Sequence, residues 1–468
     1  MTAVRTLLYA FSILWLASAF AAPAIAQDDS GTTGPQPRTP IKHFVTLMQS
    51  NHTFDSYFGT YPGADGVPTD ACMPVDPTDP TNDGCVEPFH LENYGTDLTH
   101  TFTTFRNQYR SGSMDGFVHA FRLLGEDGTV AMGHYDDQDL PFYWNLADEY
   151  VLFDRFFTSA AGGSTPNRMF WATGTAGITR PGSEDVPEAG WGDLPTIFDR
   201  LEERGISWKV YVQNYDPSII LTEREDGVAA PAQFKWVPVL GFSRFIDDPQ
   251  LSSHIVDLEE FFHDVQDGDL PAVSYVVTVG ASEHPPSNLL TGQRLVKRML
   301  NVLMQSPLWD DSAFLMTWDD WGGWYDHVPP PQVDEFGYGF RTPALLVSPY
   351  AKQGHVDSTV LDFTSILRFI EDNYDLPALA ERDASANSLM SAFDFTGAPR
   401  EPRIIAMTRG EVSVPQPRRS VIYGFYTAAV LIPIAIISAA LARPWFGGHG
   451  IGFPRSLRGQ GTREARTP

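Results

Sequence analysis

The chain has 468 residues, 43 % of them hydrophobic, with 58 acidic against 32 basic side chains and a formal net charge of −26. That length and apolar content suffice for one large α/β domain with insertions or for two domains. A field so negative repels nucleic acid and anionic membrane surfaces, which excludes nucleic-acid binding as a function class.

The first element is a leader. "MTAVRTLLYAFSILWLASAFAAPAIAQDDS" carries one Arg, an apolar stretch from Leu7 to Ala22 and a small-x-small end at Ala24-Ile25-Ala26. This predicts a secretory signal peptide over 1–26, cut before Gln27, with an uncleaved anchor as the competing reading. Residues 27–40 read as a linker. "IKHFVTL" then predicts a buried strand, and "MQSNHTFDSYFGTYPGADG" masses Ser50, Asn51, His52 and Asp55 at its end. Open α/β sheets place their chemistry at such strand ends. Cys72 and Cys85 follow in a Pro- and Asp-rich loop. In an exported chain, two nearby thiols pair as a disulfide staple.

Next comes a candidate nucleophile, in "SAAGGSTPNRMFWATGTAG". Gly162 and Gly163 give a tight turn, Ser164 or Thr165 can cap, Pro166 suits a first helical turn, and a helix continues. A hydroxyl at a helix N-terminus beside a cation has its alkoxide stabilised and can receive a phosphoryl group. A bare N-cap is the bland alternative. The stretch is not G-x-S-x-G, so an esterase elbow is not supported.

Further on, "LPTIFDRLEERG" predicts an amphipathic helix with Gly205 as its C-cap, followed by a strand over 206–212. "AVSYVVTV" (272–279) leads into Glu283 and His284, "SAFLMTW" (312–318) ends in "DDWGGWYDHVPPP", and "TPALLVSP" (342–349) is another apolar run. Near-continuous apolar strands alternating with helices predict an α/β fold, a mostly parallel central sheet with helices on both faces. The C-terminal strand ends then bring Asn51, His284, Asp319 and Asp320 to one edge, and Asp326 and His327 return to the same rim. Two adjacent carboxylates repel unless a cation lies between them, and hard divalent ions prefer oxygen ligands. The alternative for Asp319 and Asp320 is a solvated turn.

Near the C-terminus, Val421 to Ala442 carries no charge and is long enough to cross a hydrocarbon core of roughly 30 Å as a helix. Pro433 is tolerable there. Arg418 and Arg419 precede the span; Arg443, Arg455, Arg458, Arg463 and Arg466 follow it. The heavier basic side stays in the cytoplasm. The expected layout is a single-pass membrane protein with an extracytoplasmic body, a stalk over 399–420, a transmembrane helix over 421–442 and a cytoplasmic tail over 443–468.

Taken together, "LMQSNHTFDSYFGTYPGADG", "DLTHTF", "SMDGFVHA", "DLPFYWNLADEYVLFDRFF", "GGSTPNRMFWATGT", "SWKVYV", "SEHPPSN" and "TWDDWGGWYDHVPPP" resemble, in this order from about Ile41 to Phe395, the bacterial phosphoesterase family. That family includes non-specific phospholipases C and related acid phosphatases, within the alkaline-phosphatase-like superfamily. The resemblance implies a phosphoesterase domain over 41–398 with one divalent metal ion, of a kind the residues do not specify, held by Asn51, Asp319 and Asp320. It places Ser164 as nucleophile, passing through a phosphoseryl intermediate, and sets His100 and His284 against the phosphoryl group or the leaving oxygen. His327 and Asn167 stand behind these as supporting residues.

Two positions depart from the family pattern. Where the family normally reads Glu-Asn, this chain has Ser50-Asn51, so a carboxylate is missing, and Ser50 is left to coordinate the metal directly or to hold a water. Phe363 in "LDFTSIL" stands where the family often has His. The expected function is a membrane-anchored, extracytoplasmic, metal-dependent phosphoesterase acting on small-molecule or lipid phosphate mono- or diesters. The alternatives are a non-catalytic binding or envelope-assembly ectodomain that lost its metal with the Glu, and a sulfatase-like ester hydrolase on the same scaffold.

Overall fold

A computed structural model of the chain describes residues 35–409, apart from 80, 82–83, 94, 178–180, 183–184, 220 and 222–230; beyond 409 it describes only 429, 433 and 438. The predicted leader lies outside the described residues, as do the predicted span and tail but for those three positions. Among the described residues no helix is long and apolar enough to cross a membrane.

An eight-stranded sheet carries the fold. Its strands in chain order are β1 (His43–Gln49), β2 (Val151–Phe153), β3 (Trp208–Val212), β4 (Ile255–Asp257), β5 (Val273–Val277), β6 (Ser312–Trp318), β7 (Ala344–Val347) and β8 (His355–Asp357). Across the sheet they run β8-β2-β7-β6-β1-β5-β3-β4. β1 pairs in parallel with β6, Gln49 against Trp318, and with β5, Met48 against Val277. β1 past His43, and all of β5 and β6, are buried. Strands covered on both faces need the near-continuous apolar runs seen in the sequence.

β7 is the exception among the pairings: it runs antiparallel to both β6 and β2. No helix lies between β6 and β7, and a parallel neighbour requires a crossover connection. The sheet is thus mostly parallel, and the start of β7, not its end, meets the edge where the parallel strands finish. That brings Arg341 and Thr342 to the edge expected to hold chemistry. β2, β4 and β8 are three residues each and have no reading in the sequence pattern.

The helices that matter for the site are α1 (Phe54–Phe58), α2 (Phe102–Tyr109), α3 (Pro141–Glu149), α4 (Ser164–Thr173), α5 (Ile197–Arg204), α6 (Leu289–Met304) and α7 (Phe363–Tyr374). Both faces of the sheet carry helices. On one, Phe44 packs on Phe369 of α7 at 4.9 Å and Thr46 accepts a hydrogen bond from Trp171 Nε1 of α4 at 3.1 Å. On the other, Trp318 meets Tyr143 of α3 edge-on at 5.6 Å. α5 ends as expected at Gly205, φ 66°, and begins in a capping box of Thr196 and Asp199. Cys72 and Cys85 form the expected disulfide.

Of the range read as a stalk, 399–420, the structure describes residues up to Arg409. Up to Arg409 the chain is bound to α3: Arg400 and Arg403 pair with Glu149, and Asn145 Nδ2 donates to the carbonyls of Ala406 and Thr408 at 3.0 Å each. A buried Glu149 needs those guanidinium groups, which ties the segment to the body.

Candidate active site

The end of β1 opens the site. Ser50, Asn51, Asp319 and Asp320 are buried together, while Ser164, His100 and His284 are partly exposed at the mouth. Asn51 adopts a left-handed backbone (φ 66°), a conformation Asn tolerates better than most residues. Its N–H donates to Asp319 Oδ1 at 3.3 Å and its Nδ2 lies 3.3 Å from His100 Nε2. Its Oδ1 is buried with no hydrogen-bond partner among the described residues. Behind it the backbone of Gly322 comes so close that a Cβ there would sit 2.5 Å from the Asn51 carbonyl oxygen. The Gly pair after Trp321 therefore permits a close backbone approach, at φ 60° for Gly322.

Asp320 accepts from Ser164 Oγ at 3.0 Å and from the Gly322 N–H at 2.8 Å. Burial, then the charge of Asp319, pushes its pKa up to about 7, against the pull of His100 and His284. A cation beside Asp320 would favour its ionised form. His100 donates from Nδ1 to the Leu98 carbonyl at 2.6 Å, leaving Nε2 facing the site. Burial opposes its charged form, but Asp320 and the other acidic neighbours outweigh it and raise its pKa. His284 lies opposite, ring centroids 6.0 Å apart, and Asp97, His100 and His284 present donor atoms within 4.8 Å of one another.

Ser164 is the first residue of α4, and Gly163, not Ser164 or Thr165, is the N-cap. The loop before it is held by Asn167, whose Nδ2 donates to the carbonyls of Gly162 at 2.9 Å and Gly163 at 3.0 Å. Asn167 thus positions Ser164 through the backbone and does not reach the site itself.

Arg168 was not singled out from sequence. Fully buried, it donates from Nε to Asp319 Oδ2 at 2.8 Å and from Nη2 to Ser50 Oγ at 3.2 Å. An Arg at the head of the apolar run "MFWA" of α4 was the available signal, because a buried charge demands a partner.

His327 is placed elsewhere. Its Nδ1 lies 2.7 Å from Asp55 Oδ2, and Asp55, Asp326 and His327 group within 4.8 Å of one another. The guanidinium of Arg341 joins this group, with Nη2 at 2.9 Å from Asp55 Oδ1 and Nε at 2.9 Å from Asp326 Oδ1. The chain's own cation compensates those carboxylates, so His327 braces the start of β7, and among the described residues no hydrogen bond or ion pair joins it to Asp319 or Asp320. Phe363, in the position where a His was noted as usual, is buried against Phe156 at the start of α7.

A profile of the phosphoesterase family matches residues 41–377. The chain belongs to the phosphoesterase family. Among curated relatives, phospholipase C B of Mycobacterium tuberculosis is 28 % identical over 446 residues, covering 81 % of this chain and 83 % of that protein. Non-specific phospholipase C1 of Arabidopsis thaliana is 28 % identical, covering 77 % and 72 %. The non-hemolytic phospholipase C of Pseudomonas aeruginosa is 26 % identical, covering 81 % of this chain and 62 % of itself. A solved protein of the alkaline phosphatase superfamily from Vibrio parahaemolyticus shares 12 % identity over 72 % of this chain and 68 % of its own, with a TM-score of 0.33, too distant to bear on individual residues.

As a member of the phosphoesterase family, the chain is a hydrolase acting on phosphoric ester bonds. The family's metal dependence suits these residues. A buried amide oxygen without a partner, beside two buried carboxylates and a hydroxyl, is an all-oxygen donor set of the kind a hard divalent ion takes.

Proposed function

We propose that this phosphoesterase is a membrane-anchored, extracytoplasmic enzyme that cleaves phosphodiesters through a phosphoseryl intermediate on Ser164. The observation that carries the reading is the hydrogen bond from Ser164 Oγ to Asp320 at 3.0 Å, made from the first turn of α4. The positive end of a helix dipole favours an anionic phosphoryl oxygen. Asn51 and Asp320, with Asp319 adjoining, would hold a divalent ion, which would supply Lewis-acid charge favouring the serine alkoxide and the transferred phosphoryl group.

The chain's own residues do the rest. The Ser164 proton already points at Asp320 Oδ2. Ser164 Oγ forms its bond to phosphorus as the bond to the leaving ester oxygen breaks, and His100 or His284 delivers a proton to that oxygen. Water, giving a proton to the histidine that lost one, then attacks phosphorus, the Ser164–phosphorus bond breaks with the proton taken up by Asp320 returning to Ser164 Oγ, and a phosphomonoester leaves. The names of the curated relatives favour a diester, and the leader and the uncharged run 421–442 favour work at a membrane.

The test assays the full chain on chromogenic phosphate monoesters and diesters, with and without chelator, beside Ser164→Ala. Diester turnover is expected to fall with chelation and to drop about a thousandfold or more in the variant. Full turnover by Ser164→Ala would remove the phosphoseryl step, and turnover of monoesters alone would overturn the diester assignment.

A further inference from the structure

Glu283, next to His284, is wholly buried and held on several sides. Its backbone is left-handed, φ 65°, a conformation that a residue other than glycine keeps only where its surroundings over-determine it. Its carboxyl group accepts from Tyr57 Oη of α1 at 2.9 Å, from Trp318 Nε1 of β6 at 3.2 Å and from Tyr143 Oη of α3. Its carbonyl accepts from His52 Nε2 at 3.1 Å, and the His52 ring stacks on that of Tyr57 at 4.3 Å. Against the carboxyl group lies Gly292 of α6, where a Cβ would sit 2.1 Å from Glu283 Oε1.

The positions of these partners in the chain matter. Trp318 directly precedes Asp319, and His52 directly follows Asn51. One buried residue thus ties the loop after β5 to both strand ends that carry the candidate metal ligands. The next residue in that loop is His284. Its Nδ1 donates to the Pro285 carbonyl at 2.9 Å, which leaves Nε2 for the substrate, and its ring lies 6.0 Å from that of His100. A general acid works only from a defined place beside the leaving oxygen, and a partly exposed loop histidine needs support to keep one.

We propose that Glu283 is a positioning residue for the hydrolysis and sets His284 as the acid for the leaving oxygen. The His284 ring, protonated on both nitrogens, gives its Nε2 proton to that oxygen as the oxygen–phosphorus bond breaks. The proposal rests on the diester reading above, and its test separates the two. The full chain is assayed on butyl para-nitrophenyl phosphate, whose leaving group needs little help from a proton, and on dibutyl phosphate, whose alkoxide must receive one. Glu283→Ala is expected to lower kcat about a hundredfold on dibutyl phosphate and about threefold on the para-nitrophenyl ester, with KM little changed. Tyr143→Phe removes only one donor, which keeps the test open should Glu283→Ala fail to fold. It is expected to lower kcat about fivefold on dibutyl phosphate alone.

Combined with His284→Ala, neither change is expected to lower dibutyl phosphate turnover further, because both act through that ring. Equal losses on the two esters, or losses that multiply with His284→Ala, overturn the proposal. A second readout needs no turnover. In spectra of the full chain with nitrogen-labelled histidine, the His284 signals are those lost in His284→Ala. The neutral native ring is expected to carry its proton on Nδ1, and Tyr143→Phe to mix the two tautomers. An unmixed tautomer in that variant overturns the proposal too. Absence of diester hydrolysis by the native chain would sink the diester reading, while the spectra would still decide whether Glu283 fixes the ring.

Discussion

Ser50 Oγ lies 3.4 Å from Asp319 Oδ2 and 3.2 Å from Arg168 Nη2, in a space sealed from solvent. The missing carboxylate is thus partly answered by a hydroxyl that joins an existing ion pair. Replacing Ser50 by Glu adds one negative charge beside Asn51, and ligand charge sets divalent-ion affinity over orders of magnitude. Ser50→Glu is expected to tighten divalent-ion binding about tenfold or more, read by calorimetric titration. An unchanged affinity would mean that Arg168 takes the new carboxylate for itself.

Glu283 makes a different residue-scale prediction. Burial pushes its pKa from 4.5 to about 7, although Tyr57, Tyr143 and Trp318 all donate to it. The folded chain holds this proton more tightly than the unfolded one, so the stability it contributes is fully present below about pH 4.5 and is lost as pH rises through about 7. The loss amounts to about 3 kcal/mol. Glu283→Gln, a mimic of the protonated acid, should flatten that part of the profile in urea unfolding at about pH 5 and about pH 8. A wild-type slope retained in the variant would assign the proton to another group.

At the scale of elements, α4 depends on the loop that feeds it. Asn167 accepts from the Ala160 N–H at 2.8 Å and returns three donations to the carbonyls of 160, 162 and 163. Asn167→Asp turns those donations into repulsion while preserving shape. It should cost about 2–3 kcal/mol and lower kcat more than KM, because Ser164 loses its place and the substrate keeps its binding groups. A variant with native stability and kcat would show that the helix alone fixes Ser164.

The same elements show what the sequence could reveal. β1, β5 and β6 are readable because strands buried on both faces are written in apolar runs, and Asn51, His284, Asp319 and Asp320 stand just past their ends in the sequence. β2, β4 and β8 are too short to show a period, and the reversal of β7 follows from the absence of a crossover helix, which a strand's own composition does not record. Arg168 and Asp319 are 151 residues apart and Arg341 and Asp55 are 286 apart. Ion pairs of that span leave no local pattern, so the grouping of His327 with Asp55, Asp326 and Arg341 is not written in the sequence around it.

Over the whole molecule, the segment 400–409 links the rear of the sheet to the site. Trp309 Nε1, just ahead of β6, donates to the Arg400 carbonyl at 2.9 Å, and Arg409 lies over Trp144 of α3 at 5.6 Å. α3 also carries Tyr143, which holds Glu283 next to His284. A chain ending after Pro399 leaves Glu149, 8 % exposed, without Arg400 and Arg403 and strips the cover from α3. Removing the partners of a buried charge costs about 3 kcal/mol or more. A chain ending after Arg409 keeps every one of these contacts. The shorter chain should therefore unfold at lower urea with an unchanged m-value and lose turnover through the slackened α3, while the longer one matches the full protein. Equal midpoints for the two chains would show that 400–409 only rides on the surface, and that Gln353, 3.2 Å from Glu149 Oε1, suffices to hold that carboxylate.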